Sequence, residues 1–297
     1  MDIAITGSNG LIGKRLVGDL EADGHRVLRV VRSADSSTDS MQWDPVKGTI
    51  DAAALEGIDA VIHLAGEGIA EKRWTDEQKA TIRSSRELGT TLLATTLAGL
   101  DRPPTMLLSG SAIGYYGDTA DRITAENGPA GTGFLPDVCI AWEAAAAPAV
   151  EAGIRTTFLR TGVVLSAKGG SLGKQLPFFK FGLGGRSGRG NQYISWISLD
   201  DEVGAIAWLL GQELDGPVNL TAPNPVTNAQ FARSLGSALH RPTTVIPMIG
   251  PRVLFGRELA DTLLLESARI IPAKLTQGGY EFRHPTIDVA LAHLVKS

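Results

Sequence analysis

The stretch from Asp2 to Ser33 constrains this chain more than any other. Asp2-Ile3-Ala4-Ile5-Thr6 is short, apolar and closed by glycine, the pattern of a buried strand. Gly7-Ser8-Asn9-Gly10-Leu11-Ile12-Gly13 follows at once. Leu11, Ile12, Leu16, Val17 and Leu20 then recur at helical spacing up to the stop signal Asp23-Gly24. Arg26 to Val31 is a second apolar strand, ending on Arg32-Ser33. The unit is β-α-β with a glycine-rich first turn.

Each glycine has a physical reason. Gly7 lets the chain turn sharply out of the strand, Gly10 leaves the backbone open to a pyrophosphate, and Gly13 lets the helix pack close to the sheet. The free N–H groups and the positive end of the helix dipole then face the phosphates. A glycine triplet alone is a weak signal, but here it sits between a strand and a helix and leads to a second strand, the context a dinucleotide site needs. The end of the second strand selects the nucleotide. An NAD site places a carboxylate there for the ribose 2′-hydroxyl, whereas this chain has Arg32 and Ser33 and no acid before Asp35. A guanidinium can hold a 2′-phosphate by two parallel hydrogen bonds, so NADP(H) is the expected cofactor. The alternative is that Arg32 is a solvated strand end.

Composition closes off other classes. The chain has 297 residues, 43% hydrophobic and 20% charged, enough for a sizeable core. Its net charge of −4 points to neither nucleic acid nor an anionic membrane. The single Cys139 excludes an internal disulfide and fits a reducing compartment. No stretch reads as a membrane span, and the chain opens directly on a strand, so no signal peptide is expected and the cytoplasm is the default location.

Along the chain, residues 33–58 read as polar and turn-rich around Trp43-Asp44-Pro45. Ala60 to His63 is the next strand, and Leu64, Ala65 and Gly66 leave room for a ligand at its carboxyl end, or form a tight turn. Asp76 to Leu100 reads as a long helix carrying Arg83 and Arg86, the latter either solvated or facing the cofactor. Thr105 to Ser109 is a buried strand. It runs into Ser109-Gly110-Ser111-Ala112-Ile113-Gly114-Tyr115-Tyr116-Gly117, which either presents hydroxyls and phenols to a substrate or is a Gly/Ser turn with two packed tyrosines. Residues 136–153 read as helical and Thr156 to Arg160 as a strand. Strands alternating with helices imply a parallel sheet covered on both faces. Beyond Ser166, a basic glycine-rich loop (Gly182 to Gly190, with Arg186 and Arg189) either clamps an anion or is a mobile connection. Strands are expected at residues 193–197 and 218–220, and helices at 200–210, 228–239 (capped at Thr227 or Asn228) and 253–270. A short tail follows with Phe282-Arg283-His284-Pro285. The five histidines are scattered and none is assigned to catalysis.

Together these stretches resemble the extended and atypical short-chain dehydrogenase/reductase superfamily, and within it the bacterial YfcH-like epimerase group. The matching residues are Thr6 to Gly13, His63-Leu64-Ala65-Gly66-Glu67, Ser109 to Gly117, Trp142-Glu143, Arg160 to Leu165 and Ser195-Trp196-Ile197. Phe255-Gly256-Arg257 and Ile271 to Leu275 resemble that group's C-terminal segment. The resemblance implies an α/β Rossmann fold, a doubly wound parallel sheet with a small C-terminal substrate lobe. Residues 1–247 would form the nucleotide-binding domain, with lobe elements near 166–200 and 221–247, and residues 248–297 a family-specific segment. It implies NADP(H) held by Gly7, Gly10, Leu11, Ile12 and Gly13, with Arg32 and Ser33 on the 2′-phosphate. Leu64, Ala65 and Gly66 would line the adenosine and pyrophosphate side, and Ser109 would lie near the nicotinamide ribose. A small-molecule substrate and a homodimer are implied as well.

The departure from the family is equally informative. Catalytic members use a serine, a tyrosine and a lysine four residues after it, the lysine lowering the tyrosine's pKa for proton transfer. Ser111 matches the serine. The tyrosine and lysine positions fall near Leu135 and Cys139, and the chain contains no Tyr-x-x-x-Lys. The helix asparagine of many members is replaced by Arg86. Three readings stay open: an oxidoreductase or epimerase in which Ser111 holds a carbonyl and Tyr115 or Tyr116 gives the proton; a non-catalytic NADP(H)-binding sensor with Arg86 as a further cofactor ligand; and a nucleotide-sugar epimerase or dehydratase.

Overall fold

A computed structural model describes residues 1–33 and 39–296; Asp35 lies outside them. The elements in order are β1 (Asp2–Thr6), α1 (Leu11–Ala22), β2 (Arg26–Val31), β3 (Ser40–Asp44), β4 (Thr49–Ile50), β5 (Ala60–His63), α2 (Asp76–Ala98) and β6 (Met106–Ala112). Next come α3 (Phe134–Ala144), α4 (Ala147–Glu151), β7 (Arg155–Thr161), β8 (Val163–Ser166), α5 (Gly170–Lys180), β9 (Gly185–Ser187), β10 (Tyr193–Ile194), β11 (Trp196–Ser198) and α6 (Leu199–Leu209). The chain finishes with β12 (Gly216–Leu220), β13 (Val226–Thr227), α7 (Asn228–Leu239), β14 (Thr244–Ile246), α8 (Ile249–Phe255), α9 (Arg257–Leu265), α10 (Ala273–Gln277) and α11 (Ile287–Leu294).

The main sheet runs β12-β7-β6-β5-β1-β2-β3-β4 and is parallel except for the final β3–β4 pair. Alternation along β1 shows why both faces are covered. Ile3 and Ile5 point into one core with Leu16, Val17 and Leu20 of α1 and Val203 and Ile206 of α6. Ala4 points into the other, with Leu93 and Leu97 of α2 and Ala149 of α4. A period of two in the strand thus meets a period near 3.6 in the helices on each side. A third cluster builds the smaller lobe from Leu172, Phe179, Trp196, Phe231 and Leu235, and Leu291 and Leu294 of α11 join it.

Three local expectations are corrected. Residues 33–58 are not only turns, since Ser40 to Asp44 extends the sheet beside β2 and turns back into β4; Trp43 is buried there and meets His63 edge-on. The basic loop holds a strand, β9, paired with β14. Residues 253–270 do not form one helix: Gly256, at φ 87°, ends α8 and starts α9. Beyond Leu265 the chain is extended, with Ser267 and Arg269 carbonyls accepting from Thr119 and Thr124 N–H groups. The cap of α7 falls on Thr227, in a reciprocal capping box with Gln230.

β1 lies between β5 and β2, so the strand order reverses there, where α/β sheets open a ligand crevice at their carboxyl ends. A buried polar relay pins these ends. Thr6 Oγ1 accepts from the N–H groups of Leu64 (3.1 Å) and Ala65 (3.2 Å). Its own hydrogen then goes to His63 Nδ1 at 2.7 Å, leaving His63 Nε2 to donate to Thr90 Oγ1 of α2 at 3.0 Å. Burial, with a smaller push from the Arg86 charge, lowers the His63 pKa to about 4, so the ring is neutral in the folded protein. In the unfolded chain the ring gains a proton near pH 6.5. His63 therefore contributes stability fully above about pH 6.5, and this is lost as pH falls toward 4, by up to about 3 kcal/mol. We expect urea unfolding to show a steeper loss of stability between pH 7.5 and 5 in wild type than in His63→Asn. Equal slopes would contradict a neutral, buried His63.

Candidate functional site

Helix α1 starts at the switch point with no side-chain cap and no acidic residue in its first turn, so its leading N–H groups have no protein acceptor from a cap. Gly7 takes φ 69°, and a Cβ there would lie 2.7 Å from the Leu64 carbonyl carbon. A Cβ on Gly13 would lie 2.2 Å from the Gly7 carbonyl oxygen, so only glycine lets α1 start this close to β1. Gly10 differs: its Cβ would meet only the Gly7 oxygen, at 3.3 Å. The space it leaves opens toward the crevice rather than toward packed protein. A cleft of about 310 Å³ lies here, lined by Gly7, Gly10, Leu11, Ile12, Gly13 and Leu64, and on the lobe side by Val163, Val164, Gly170 and Ser171. Ser8, buried in the same turn, has an Oγ without a hydrogen-bond partner among the described residues. Free N–H groups, an open glycine and an unpaired hydroxyl suit a phosphate.

The other cofactor candidates sit around this crevice. Arg32 and Ser33 are exposed just beyond β2, and the Arg32 carbonyl accepts from Gln42 Nε2. Leu64, Ala65 and Gly66 leave β5 beside Gly7. Arg86 is half-buried against Gly66. Its Nη1 donates to the carbonyls of Glu67 and Ile82, both at 2.9 Å, and its guanidinium stacks on Trp142 at 4.8 Å. It braces the loop after β5 rather than lying on a solvated face. Ser109 is fully buried in β6, its Oγ unpartnered.

At the end of β6 the geometry departs furthest from a Ser-Tyr-Lys site. Ser111 Oγ donates to Glu143 Oε1 of α3 at 2.7 Å. Glu143 is gripped bidentately by Arg160 of β7, Nε to Oε1 and Nη2 to Oε2, both 2.8 Å. Arg160 Nη1 also donates to the Tyr116 hydroxyl at 2.9 Å, and that hydroxyl donates to Asn219 Oδ1 at 2.7 Å. Burial works against the Arg160 charge, but the hydrogen bonds and charge of Glu143, then Tyr116, outweigh it and hold its pKa above the usual arginine value. Burial raises the Tyr116 pKa. Tyr116 is 1% exposed and both hydroxyl roles are taken, so it packs as a structural tyrosine with no face toward a substrate. Tyr115 is different. It is half-buried, its ring lies under the Arg160 guanidinium at 3.4 Å, and its hydroxyl makes no hydrogen bond to any described residue. Leu135 and Cys139 lie side by side against Gly114. Burial, reinforced by the Glu143 charge, pushes the Cys139 thiol up to about 12, so it is neither a cation nor a reactive thiolate near neutral pH.

Sequence reasoning assigned no role to Ser8, Glu143 or Arg160, nor to the lobe residues Val163, Val164, Gly170 and Ser171. One signal was present. Arg160 directly follows the apolar pair Phe158-Leu159 in a strand expected to be buried, and a charge there demands a buried partner. Of the two arginines on the basic loop, Arg186 is occupied by the carbonyls of Gly188 and Arg189, while Arg189 is exposed.

The chain matches the model of the NAD dependent epimerase/dehydratase family over residues 3–220, and residues 246–294 match a domain of unknown function (DUF1731). It is 46% identical over 293 residues to the epimerase family protein Mb2239 of Mycobacterium bovis, covering 98% of this chain and 96% of that one. It is 34% identical over 306 residues to the chloroplastic SDR39U1 homolog of Arabidopsis thaliana, covering 100% and 87%. The crystal structure of the human epimerase family protein SDR39U1 (isoform 2) with NADPH superposes with a TM-score of 0.92 at 32% identity, covering all of both chains.

The two helix-start glycines separate packing from binding. Gly13→Ala drives a methyl into backbone and is expected to cost roughly 1–3 kcal/mol in urea unfolding. Gly10→Ala is expected to change stability by less than about 1 kcal/mol, yet to weaken NADPH at least about tenfold by filling the phosphate's space. Unchanged NADPH affinity in Gly10→Ala would remove the phosphate from this turn.

Proposed function

Since the chain belongs to the NAD dependent epimerase/dehydratase family, we propose that it is an NADP(H)-dependent oxidoreductase or epimerase of the atypical short-chain dehydrogenase/reductase type, with a rearranged proton-transfer site. One observation carries this reading: an uncapped, acid-free helix start behind an open glycine, at the switch point of the sheet. The phosphates sit on the N–H groups of that turn, with Ser8 Oγ as a further hydrogen-bond partner. Arg32 and Ser33 take the 2′-phosphate, and Arg32 sets the preference for NADP(H) over NAD(H). When bound, the nicotinamide supplies or accepts a hydride.

The residues of the chain then define what the substrate presents. Glu143 is bound bidentately by Arg160 and takes the one hydroxyl hydrogen of Ser111. The Ser111 oxygen therefore offers lone pairs, and it orients a substrate hydroxyl rather than polarising a carbonyl. Tyr115, with an uncommitted hydroxyl and a ring fixed by Arg160, is the group left to exchange the proton. Tyr116 and Asn219 support Arg160 from behind. The substrate is a small molecule carrying a secondary alcohol or its carbonyl. The protein acts in the cytoplasm as a homodimer, without nucleic-acid or membrane partners; among the described residues no helix is long and apolar enough to cross a membrane.

A second reading has its own support. Leu135 and Cys139 supply neither proton nor fixed cation, and the hydrogen of Ser111 is committed. On that reading the protein is an NADP(H)-binding sensor, and Arg86 transmits occupancy through the loop it braces. Incubation with NADP⁺ or NADPH and a panel of secondary alcohols, ketones and nucleotide sugars separates the two. Turnover is expected, falling about 100-fold or more in Tyr115→Phe. Tyr116→Phe should mainly lose stability, by about 1–3 kcal/mol. Full turnover in Tyr115→Phe would remove its role, and tight NADPH binding with no turnover across the panel would favour the sensor.

A further inference from the structure

Apart from the residues that line the glycine-turn cleft, the fold brings together two of the histidines that the sequence leaves scattered. His284 lies in the segment before α11 and His293 in the last turn of α11; their ring centroids are 4.8 Å apart. Asp200, in the first turn of α6, completes the group, and one ligand atom from each residue lies within 4.8 Å of the others. His293 Nε2 is 3.4 Å from Asp200 Oδ2.

The surrounding hydrogen bonds fix the chemistry of each ligand. Ser198 Oγ donates its single hydrogen to the buried carboxylate of Asp201, Oδ2, at 2.8 Å. It can then only accept from His284 Nδ1 at 2.9 Å, so that nitrogen carries the ring's proton. His284 Nε2 is left with a bare lone pair, the tautomer a metal requires. A ligating histidine is oriented by an outer hydrogen bond to its other ring nitrogen, the place that Ser198, backed by Asp201, takes here. Asp201 is itself fixed by the N–H groups of Arg283 (2.7 Å) and His284 (3.0 Å). The two oxygens of Asp200 are divided. Oδ1 pairs with Arg15 at 2.8 Å, while Oδ2 faces the histidine. Arg15 is also paired with Asp19 at 2.9 Å, so its charge does not cancel that of Asp200 alone.

We propose that Asp200 Oδ2, His284 and His293 form a binding site for one divalent transition-metal ion of the zinc class. Two imidazoles and one carboxylate suit Zn²⁺ or Co²⁺, whereas Ca²⁺ and Mg²⁺ prefer all-oxygen shells. With three protein ligands the fourth position is open to water. Tetrahedral ligand atoms at zinc lie about 3.4 Å apart, so the triad must close slightly. The His293 side chain is 54% exposed, so the closure asks for no rearrangement of packed core. The ion would join the C-terminal segment to the start of α6 and, through Arg15, to α1, the helix that opens on the phosphate site. The site is independent of the hydride-transfer reading.

The test is titration of tag-free, chelator-treated full-length protein with Zn²⁺, and with Co²⁺ as an optical probe. One equivalent is expected to bind, Co²⁺ showing the intense visible bands of a tetrahedral site and Zn²⁺ raising the melting temperature. His293→Ala removes a surface ligand and should leave the fold intact, yet weaken Zn²⁺ more than about tenfold and abolish both the Co²⁺ bands and the thermal shift. Binding of less than one equivalent by wild type, or equal binding by His293→Ala, would overturn the site and leave an Asp200–His293 ion pair.

Discussion

The approach of α1 to the turn before it governs the geometry of the crevice. The helix can begin beside β1 only because Gly13 has no side chain where the Gly7 carbonyl oxygen lies, and because Gly7 adopts a left-handed conformation. That closeness aims the leading N–H groups of α1 at the carboxyl ends of β1 and β5. A capping serine or aspartate would have satisfied one of them locally. Its absence leaves the helix start with an unanswered positive end, an environment that suits an anion. Thr6, one residue earlier, fixes the neighbouring wall through Leu64, Ala65 and His63. The neutral histidine suits its place, since a buried imidazolium would need a partner that neither threonine supplies.

A second buried polar assembly occupies the other side of the site. The Arg160–Glu143 pair is nearly enclosed, and such pairs rarely stabilise a fold more than apolar residues of the same size. Its retention at the carboxyl end of the sheet is better understood through what it holds in place. It fixes the orientation of Ser111, stacks Tyr115 and is supported by Tyr116 and Asn219. The buried cation at this end of the sheet is a guanidinium on β7, paired with a carboxylate. The proposed orientation of a substrate hydroxyl, rather than polarisation of a carbonyl, rests on that pairing and on the Ser111 hydrogen it commits.

The parts of this fold that repeat a local pattern were legible in the sequence. β1, the glycine turn, α1 and β2 announce themselves by periodicity and by glycine placement, while the cap of α7 is narrowed only to Thr227 or Asn228 until the structure shows the capping box at Thr227. What was hidden depends on long-range partners. The strand at Ser40 to Asp44 is short and polar, and it exists because β2 offers a pairing edge and the core takes Trp43. Gly256 divides an apolar run that looks continuous by composition. From sequence, the loop with Ser111, Tyr115 and Tyr116 fits either a substrate-facing surface or a turn with two packed tyrosines, yet the adjacent tyrosines diverge: one is sealed beneath Arg160 and Asn219, and the other keeps its hydroxyl free of any described residue. The pairing of His284 with His293 spans an extended segment and a helix, which no spacing rule links.

In the proposed reading, the uncapped start of α1 and the Arg32 strand end together form an NADP(H) site. Paired fluorescence titrations with NADPH and NADH, in wild type and in Arg32→Ala, test it most directly. The expected result is tight NADPH binding, NADH weaker by about tenfold or more, and loss of that difference in Arg32→Ala with NADH binding unchanged. Equal affinity for both nucleotides in wild type would contradict the role of Arg32, and binding of neither would contradict the site itself.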